Sequence, residues 1–266
     1  MAKYWVANNP NSEITDAKAQ KLSRASNYVD DKATKFQIFD DFHAAALDST
    51  NNWITFLGSD TDATSAVVTA PEGQYELGSG DGGGADDGAV LSLILLAKGA
   101  LVSLGGTVME ARVSLDTLDG AVVNIGFSDV LAESAEHSPH KIVAATISDA
   151  GLTVTNTACF VWGTEATAAT KWHHVTENAG TIAPISVSDN GPVVDTYATL
   201  RIEIDDDGTA RFYVDGTLDK TIPSAVATTS LLIPFIGIDG EDGAPVATDL
   251  AIDYILFEGN RPSSNA

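Results

Sequence analysis

From Phe36 to Gly259 the chain is a succession of short runs in which apolar and polar residues alternate one by one. Examples are VMEARVSL (108–115), AVVNIGFS (121–128), KIVAATIS (141–148), GLTVTNT (151–157), TLRIEID (199–205), LIPFIGID (232–239) and LAIDYILFE (250–258). A period of two places successive side chains on opposite faces of a pleated strand. In 108–115, Val108, Glu110, Arg112 and Ser114 share one face, and Met109, Ala111, Val113 and Leu115 the other. Turn residues separate nearly all of these runs. So many half-buried strands, each dry on one side, exceed one flat sheet and predict an all-β sandwich of two antiparallel sheets packed face to face. A chain of 266 residues is compatible with one such body plus appendages.

The segment RIEIDDDGTARFYVDGTLDKTI (201–222) shows the logic locally. Ile202 and Ile204 are predicted to point inward, the DDDG sequence to reverse the chain, and Phe212 and Val214 to return inward. Asp215-Gly216 then reverses it again, as suits a hairpin turn whose central residues need positive φ. The aspartates are explained as turn residues without a metal.

Residues 1–35 read differently, as a docking arm. Their large apolar residues are too scattered to close a core, and TDAKAQKLSRAS (15–26) offers at most one short helix. The arm holds six basic residues and four acidic ones, whereas the whole chain holds 14 Lys and Arg against 37 Asp and Glu, a net charge of −23. A body this acidic repels phosphate backbones and anionic headgroups, which argues against nucleic-acid and membrane partners. Residues 260–266 read as a C-terminal tail. Cys159, the single cysteine, excludes an intrachain disulfide and reads as a small apolar residue. The N-terminus lacks the apolar stretch of a signal peptide, and the run at 89–104 is broken by Lys98 and Gly99. Synthesis in a host cytoplasm follows as the expectation.

Three stretches carry a family resemblance: GTARFYVDGTLDKTIP followed by LLIPFIGIDGEDGAPVATDLAIDYILFEG, the opening FDDFHA, and GGTVMEARVSLDTLDGAVVNIGFSD. Over residues 36–259 they resemble a concanavalin A-like, laminin G-type jelly roll. With the arm beginning MAKYWV, the chain is similar to the form of that domain found in bacteriophage head decoration, or cement, proteins. The resemblance implies a non-enzymatic virion protein on the outer surface of the capsid, with the major capsid protein and further copies of itself, as a trimer, for partners. Tyr4, Trp5, Lys18, Lys21, Leu22, Arg24 and Tyr28 would then form the capsid-binding arm.

Other functions need other residues. Jelly-roll glycosidases carry their two carboxylates on a Glu-x-Asp-x-x-Glu strand. The nearest stretch here is Glu203-Ile204-Asp205, whose third position falls on Gly208, and Glu110 is followed by Ala111 and Arg112. A divergent glycosidase would need two facing carboxylates on the concave sheet. A lectin-like adhesion module needs an exposed aromatic platform, for which Trp53, Trp162, Trp172 and Tyr197 are candidates, although the usual burial of aromatic residues favours core packing for each. Oxygen donors for calcium exist at Asp205, Asp207, Asp239 and Asp242, though not in EF-hand spacing, and solvated turns account for them equally. No resident cofactor is expected. His137, His140, His173 and His174 lack a convergent third ligand for zinc and read as loop or interface residues.

Overall fold

The computed structural model describes residues 35–44, 46–49, 52–58, 63–68, 73–80, 88–93, 99–130, 138–149, 153–240 and 247–260. Residues 1–34 of the expected arm, with its seven docking candidates and the stretch read as at most one short helix, lie outside them, as do His137, Asp242 and residues 261–266 of the tail, whereas Lys35 and Asn260 belong to strands.

The described strands are, in order, β1 (Lys35–Asp40), β2 (Trp53–Leu57), β3 (Ala63–Val68), β4 (Gln74–Ser79), β5 (Gly88–Leu93), β6 (Ala100–Leu101), β7 (Thr107–Leu115), β8 (Ala121–Ser128), β9 (His140–Val143), β10 (Thr146–Asp149), β11 (Thr157–Gly163), β12 (His173–Asn178), β13 (Thr181–Ile182), β14 (Ser186–Val187), β15 (Ala198–Ile204), β16 (Ala210–Val214), β17 (Thr217–Ile222), β18 (Leu231–Gly240) and β19 (Asp249–Asn260). All but β9 and β10, which pair with each other as a separate two-stranded sheet, form two antiparallel sheets. The first runs β17-β16-β15-β7-β19-β4-β3, with β1 added to β19; the second runs β13-β12-β11-β8-β18-β5-β2, with β14 and β6 at its margins. Among the described residues no helix is long and apolar enough to cross a membrane.

The alternation read in 108–115 is what builds β7. Met109, Ala111, Val113 and Leu115 are buried between the sheets, while Glu110, Arg112 and Ser114 face outward. β8 and β11 answer from the second sheet with Val123, Ile125, Phe127, Ala158, Phe160 and Trp162. The predicted meander at 201–222 is present as β15, β16 and β17, and Ile202, Ile204, Phe212 and Val214 are buried. Asp215 and Gly216 both take positive φ, 48° and 76°, at the second reversal. At Gly126, in the middle of β8, a Cβ would lie 2.3 Å from the Ala158 carbonyl oxygen, so the β8–β11 spacing depends on a missing side chain.

Two sequence readings need correction. The run at 141–148 is a tight hairpin: β9 and β10 pair around Ala144 and Ala145, which take φ of 47° and 66°. Alanine gives no turn signal, so the reversal is invisible to a search for Gly or Asn. In the run at 151–157, residues 153–156 form no strand, and β11 starts at Thr157.

Candidate functional site

Each sheet has an outer face, and the two differ in chemistry. Outward positions of the second sheet carry Val122, Cys159, Val161, Val175 and Phe235, which pack with Ile142 and Ile147 of the β9–β10 hairpin into a second apolar cluster. The hairpin is pinned by Asn124, whose Nδ2 donates to the His140 carbonyl (2.9 Å) and whose Oδ1 accepts the His140 N–H (3.3 Å). His140 Nε2 meets Thr157 Oγ1 at 2.9 Å. Burial pushes the His140 pKa down to about 4 and raises that of the Cys159 thiol, so neither is a ready acid-base or nucleophilic group at neutral pH. The outward residues of β11 are Thr157, Cys159 and Val161, and no described strand carries Glu-x-Asp-x-x-Glu.

Among the described residues the outer face of the first sheet is polar, with Glu110, Arg112, Ser114, Arg201 and Glu203 half-buried on it. At its centre β19 contains a bulge: Ile252 is opposite Val113 and Tyr254 opposite Arg112, so Asp253 is an extra residue. Arg112 Nη1 pairs with Asp253 Oδ2 at 2.5 Å, and its guanidinium lies 4.2 Å from the centroid of the Tyr197 ring. Gln74 of β4 donates to the Tyr197 hydroxyl.

One side of this centre holds two glutamates and an arginine. Arg201 donates from Nη1 to Glu110 Oε2 (3.3 Å) and from Nε to Glu203 Oε1 (2.8 Å). Tyr254 donates to Glu110 Oε1 (2.8 Å) and Tyr213 to Glu203 Oε2 (3.1 Å). Both carboxylates are therefore clamped, each by a guanidinium and a phenol.

On the other side lie three carboxyl groups without an arginine among their described partners. Glu76 of β4 is opposite Ala251, and Asp249 is opposite Gly78, which makes Glu76 and Asp249 diagonal neighbours across β4 and β19. Asp116, just beyond β7, accepts the Asp249 N–H through Oδ1 at 2.8 Å. Gly78 has no side chain to separate them: a Cβ there would lie 2.8 Å from Asp249 Oδ1. Burial first, then the charges of Asp249 and Asp116, raise the Glu76 pKa above the usual carboxylate range. Asp249 is also raised, by burial and then by Asp116. Glu76 and Asp249 thus keep a proton to higher pH than isolated carboxylates would.

The sequence-based candidates sort accordingly. Trp53, Trp162 and Trp172 are fully buried and fill the core, so they offer no sugar platform. The indole N–H groups of Trp53 and Trp162 donate to Asp40 Oδ2 (2.8 Å) and the Ala169 carbonyl (2.7 Å). Tyr197 alone of the four reaches an outer face. Asp205 is paired with Arg211, and Asp207 accepts the Thr209 N–H at 2.8 Å as a turn residue. Asp239 sits in β18. Among the described residues no group of three or more His, Cys, Asp or Glu is placed to hold a metal ion. His173 and His174 point to opposite faces; His174 bridges the sheets through Asp219 of β17 (2.9 Å) and meets Ser186 of β14 in its own sheet at 3.0 Å. The sequence search named Glu110 and Glu203 but missed Glu76, Asp249 and Asp116. Their only sequence signal is a polar residue at an outward strand position.

No family model matches the sequence, and no curated protein matches it. Solved structures do match. A Bacillus licheniformis beta-glucanase is similar at 10% identity with a TM-score of 0.55, covering 85% of this chain and 98% of that one. The concanavalin A-like jelly roll is therefore the fold of this chain. A glycoside hydrolase family 16 endo-glucanase from Bacteroides ovatus is similar at 10% identity and a TM-score of 0.53, over 82% and 98% of the two chains. A Shewanella oneidensis protein of unknown function is similar at 12% identity and a TM-score of 0.52, over 97% and 99%.

These likenesses carry the fold and correct the expectation of function. The reading as a non-enzymatic phage head decoration protein is overturned, because the jelly rolls that this one is similar to along their whole length include a series of glycoside hydrolases. Decoration rested on the arm, the acidic sandwich, the missing catalytic motifs and the family resemblance, and residues 1–34 of that arm lie outside the described residues.

Proposed function

We propose that the chain is a divergent glycoside hydrolase whose reacting carboxyl groups are Glu76 and Asp249 on the outer face of the first sheet. At 10–12% identity the similar structures establish architecture alone, so the residues have to carry this reading. The observation that carries it is a diagonal pair of carboxyl groups on the outer sheet face, of which Glu76 has its pKa raised by burial and by two neighbouring carboxylates and Asp249 by burial and by one. Glycoside hydrolysis needs that asymmetry: one carboxyl donates a proton to the departing oxygen, and its anionic partner attacks the anomeric carbon or activates water.

Glu76, whose environment includes both other carboxylates, takes the acid role. Asp249 takes the anionic role, oriented by the bond between its own N–H and Asp116. Because Gly78 has no side chain, the Asp249 carboxylate and the Thr64 hydroxyl pack over it, and Gln74, two residues before Glu76 on β4, holds the Tyr197 hydroxyl while Arg112 lies over the Tyr197 ring. The test is incubation with a panel of neutral polysaccharides and mucin O-glycans, with chain length followed by mass spectrometry. Shortening of at least one substrate by the wild type, lost in Asp249→Asn, is the expected result. A panel left intact by the wild type refutes the proposal.

A further inference from the structure

A second part of the same face carries aromatic and hydrogen-bonding side chains that the carboxyl triad does not use. Register places Phe39, Leu256, Glu110, Arg201 and Tyr213 in one row across five adjacent strands, β1, β19, β7, β15 and β16. At the usual strand spacing the row spans roughly 19 Å. It lies four residues along β7 from Ser114, beside the triad, a distance of roughly 13 Å.

The row has an aromatic group at each end and hydrogen-bonding groups between them. Phe39 is 57% exposed although it is large and apolar. Its ring lies 5.8 Å from that of Tyr254 and tilts by 34°, giving two rings on one surface. Behind them, Tyr254 and Arg201 fix the carboxylate of Glu110, and Arg201 and Tyr213 fix that of Glu203. Side chains whose rotamers are already locked lose little entropy when they bind a ligand. Pyranose rings present C–H faces to aromatic rings and hydroxyl groups to carboxylates and guanidinium groups.

Charge selects among sugars. Arg201 is already engaged by two carboxylates, and Glu258, which accepts a 2.6 Å bond from Gln37, adds a further acidic group next to Phe39. A uronate or sulfated chain would meet uncompensated negative charge, on a molecule of net charge −23.

We infer that the Phe39–Tyr213 row is a secondary binding surface for an uncharged polysaccharide chain, which holds the polymer to the protein beside the carboxyl triad. The inference rests on the hydrolase reading only for its purpose; binding is measurable without turnover.

The experiment is affinity electrophoresis of the full chain and of Phe39→Ala in gels containing barley β-glucan or carboxymethyl cellulose, together with the hydrolysis assay. Phe39 is exposed, so its replacement leaves the fold intact. The expected result is retardation of the wild type by the neutral polymer alone, weakened about tenfold in Phe39→Ala, the loss of one aromatic contact. Retardation that depends on Phe39 without hydrolysis would uphold this surface and overturn the hydrolase reading. Hydrolysis with equal migration of the two proteins would do the reverse. Retardation by carboxymethyl cellulose as strong as by the neutral polymer overturns the inferred ligand class.

Discussion

Asp253 and Tyr254 are adjacent in sequence yet both stand on the outer face of the first sheet. The bulge in β19 makes this so, because Asp253 has no partner in β7 while Ile252 and Tyr254 keep theirs. Bulges re-aim side chains and are over-represented next to functional sites. Here the extra residue holds Arg112, and the next one holds Glu110.

Deletion of Asp253 is therefore expected to leave every other β19 pair in register. It removes a half-exposed ion pair, at a cost of about 1 kcal/mol or less. Equilibrium urea unfolding of the deletion variant checks this. A loss of several kcal/mol would show that the bulge supports the core.

Trp162→Ala is expected to cost about 3–5 kcal/mol, the range for removing a large aromatic side chain from a packed core. Denaturation midpoints measure it. A small loss with altered sugar binding would return Trp162 to the role of an exposed platform.

The alternation in β7 and the meander at 201–222 were legible because one residue in two is apolar and each reversal has its Asp-Gly or Asp-rich signal. Bulge and hairpin were not read. In AIDYIL the apolar residues Ile252 and Ile255 stand three apart, a phase slip that marks the bulge in retrospect, and Ala144-Ala145 leaves no mark at all. The Glu76, Asp249 and Asp116 group comes from three distant strands or strand ends, so only the sheet register brings it together. Burial of the tryptophans follows the reading that the usual burial of aromatic residues favours, core packing over an exposed platform.

His140 is neutral in the folded protein, its pKa lowered by burial to about 4. The unfolded chain takes up its proton near pH 6.5, so this contribution to stability is complete above that pH and is lost as pH falls toward about 4, by about 3 kcal/mol. Urea unfolding at about pH 7 and about pH 4.5 is expected to show a larger acid loss for the wild type than for His140→Gln. Equal losses would contradict the assignment.

Asp249 has the opposite linkage. Its carboxyl pKa is raised, so ionisation destabilises the fold once pH exceeds the unfolded value, and fully so above the folded one. Asp249→Asn is expected to raise the thermal midpoint at about pH 7, with the difference vanishing at about pH 3, where the native carboxyl is protonated. A variant less stable than the wild type at neutral pH would indicate that the carboxylate is held by favourable contacts instead.

The most direct test of Glu76 as the proton donor compares leaving groups. Glu76→Gln is assayed beside the wild type on an unmodified oligosaccharide and on the corresponding 2,4-dinitrophenyl glycoside, whose phenolate departs without protonation. The account predicts a fall of about 10²–10⁴-fold on the oligosaccharide and near-wild-type cleavage of the aryl glycoside. Equal activity of the two proteins on the oligosaccharide, or equal loss on both substrates, would contradict it.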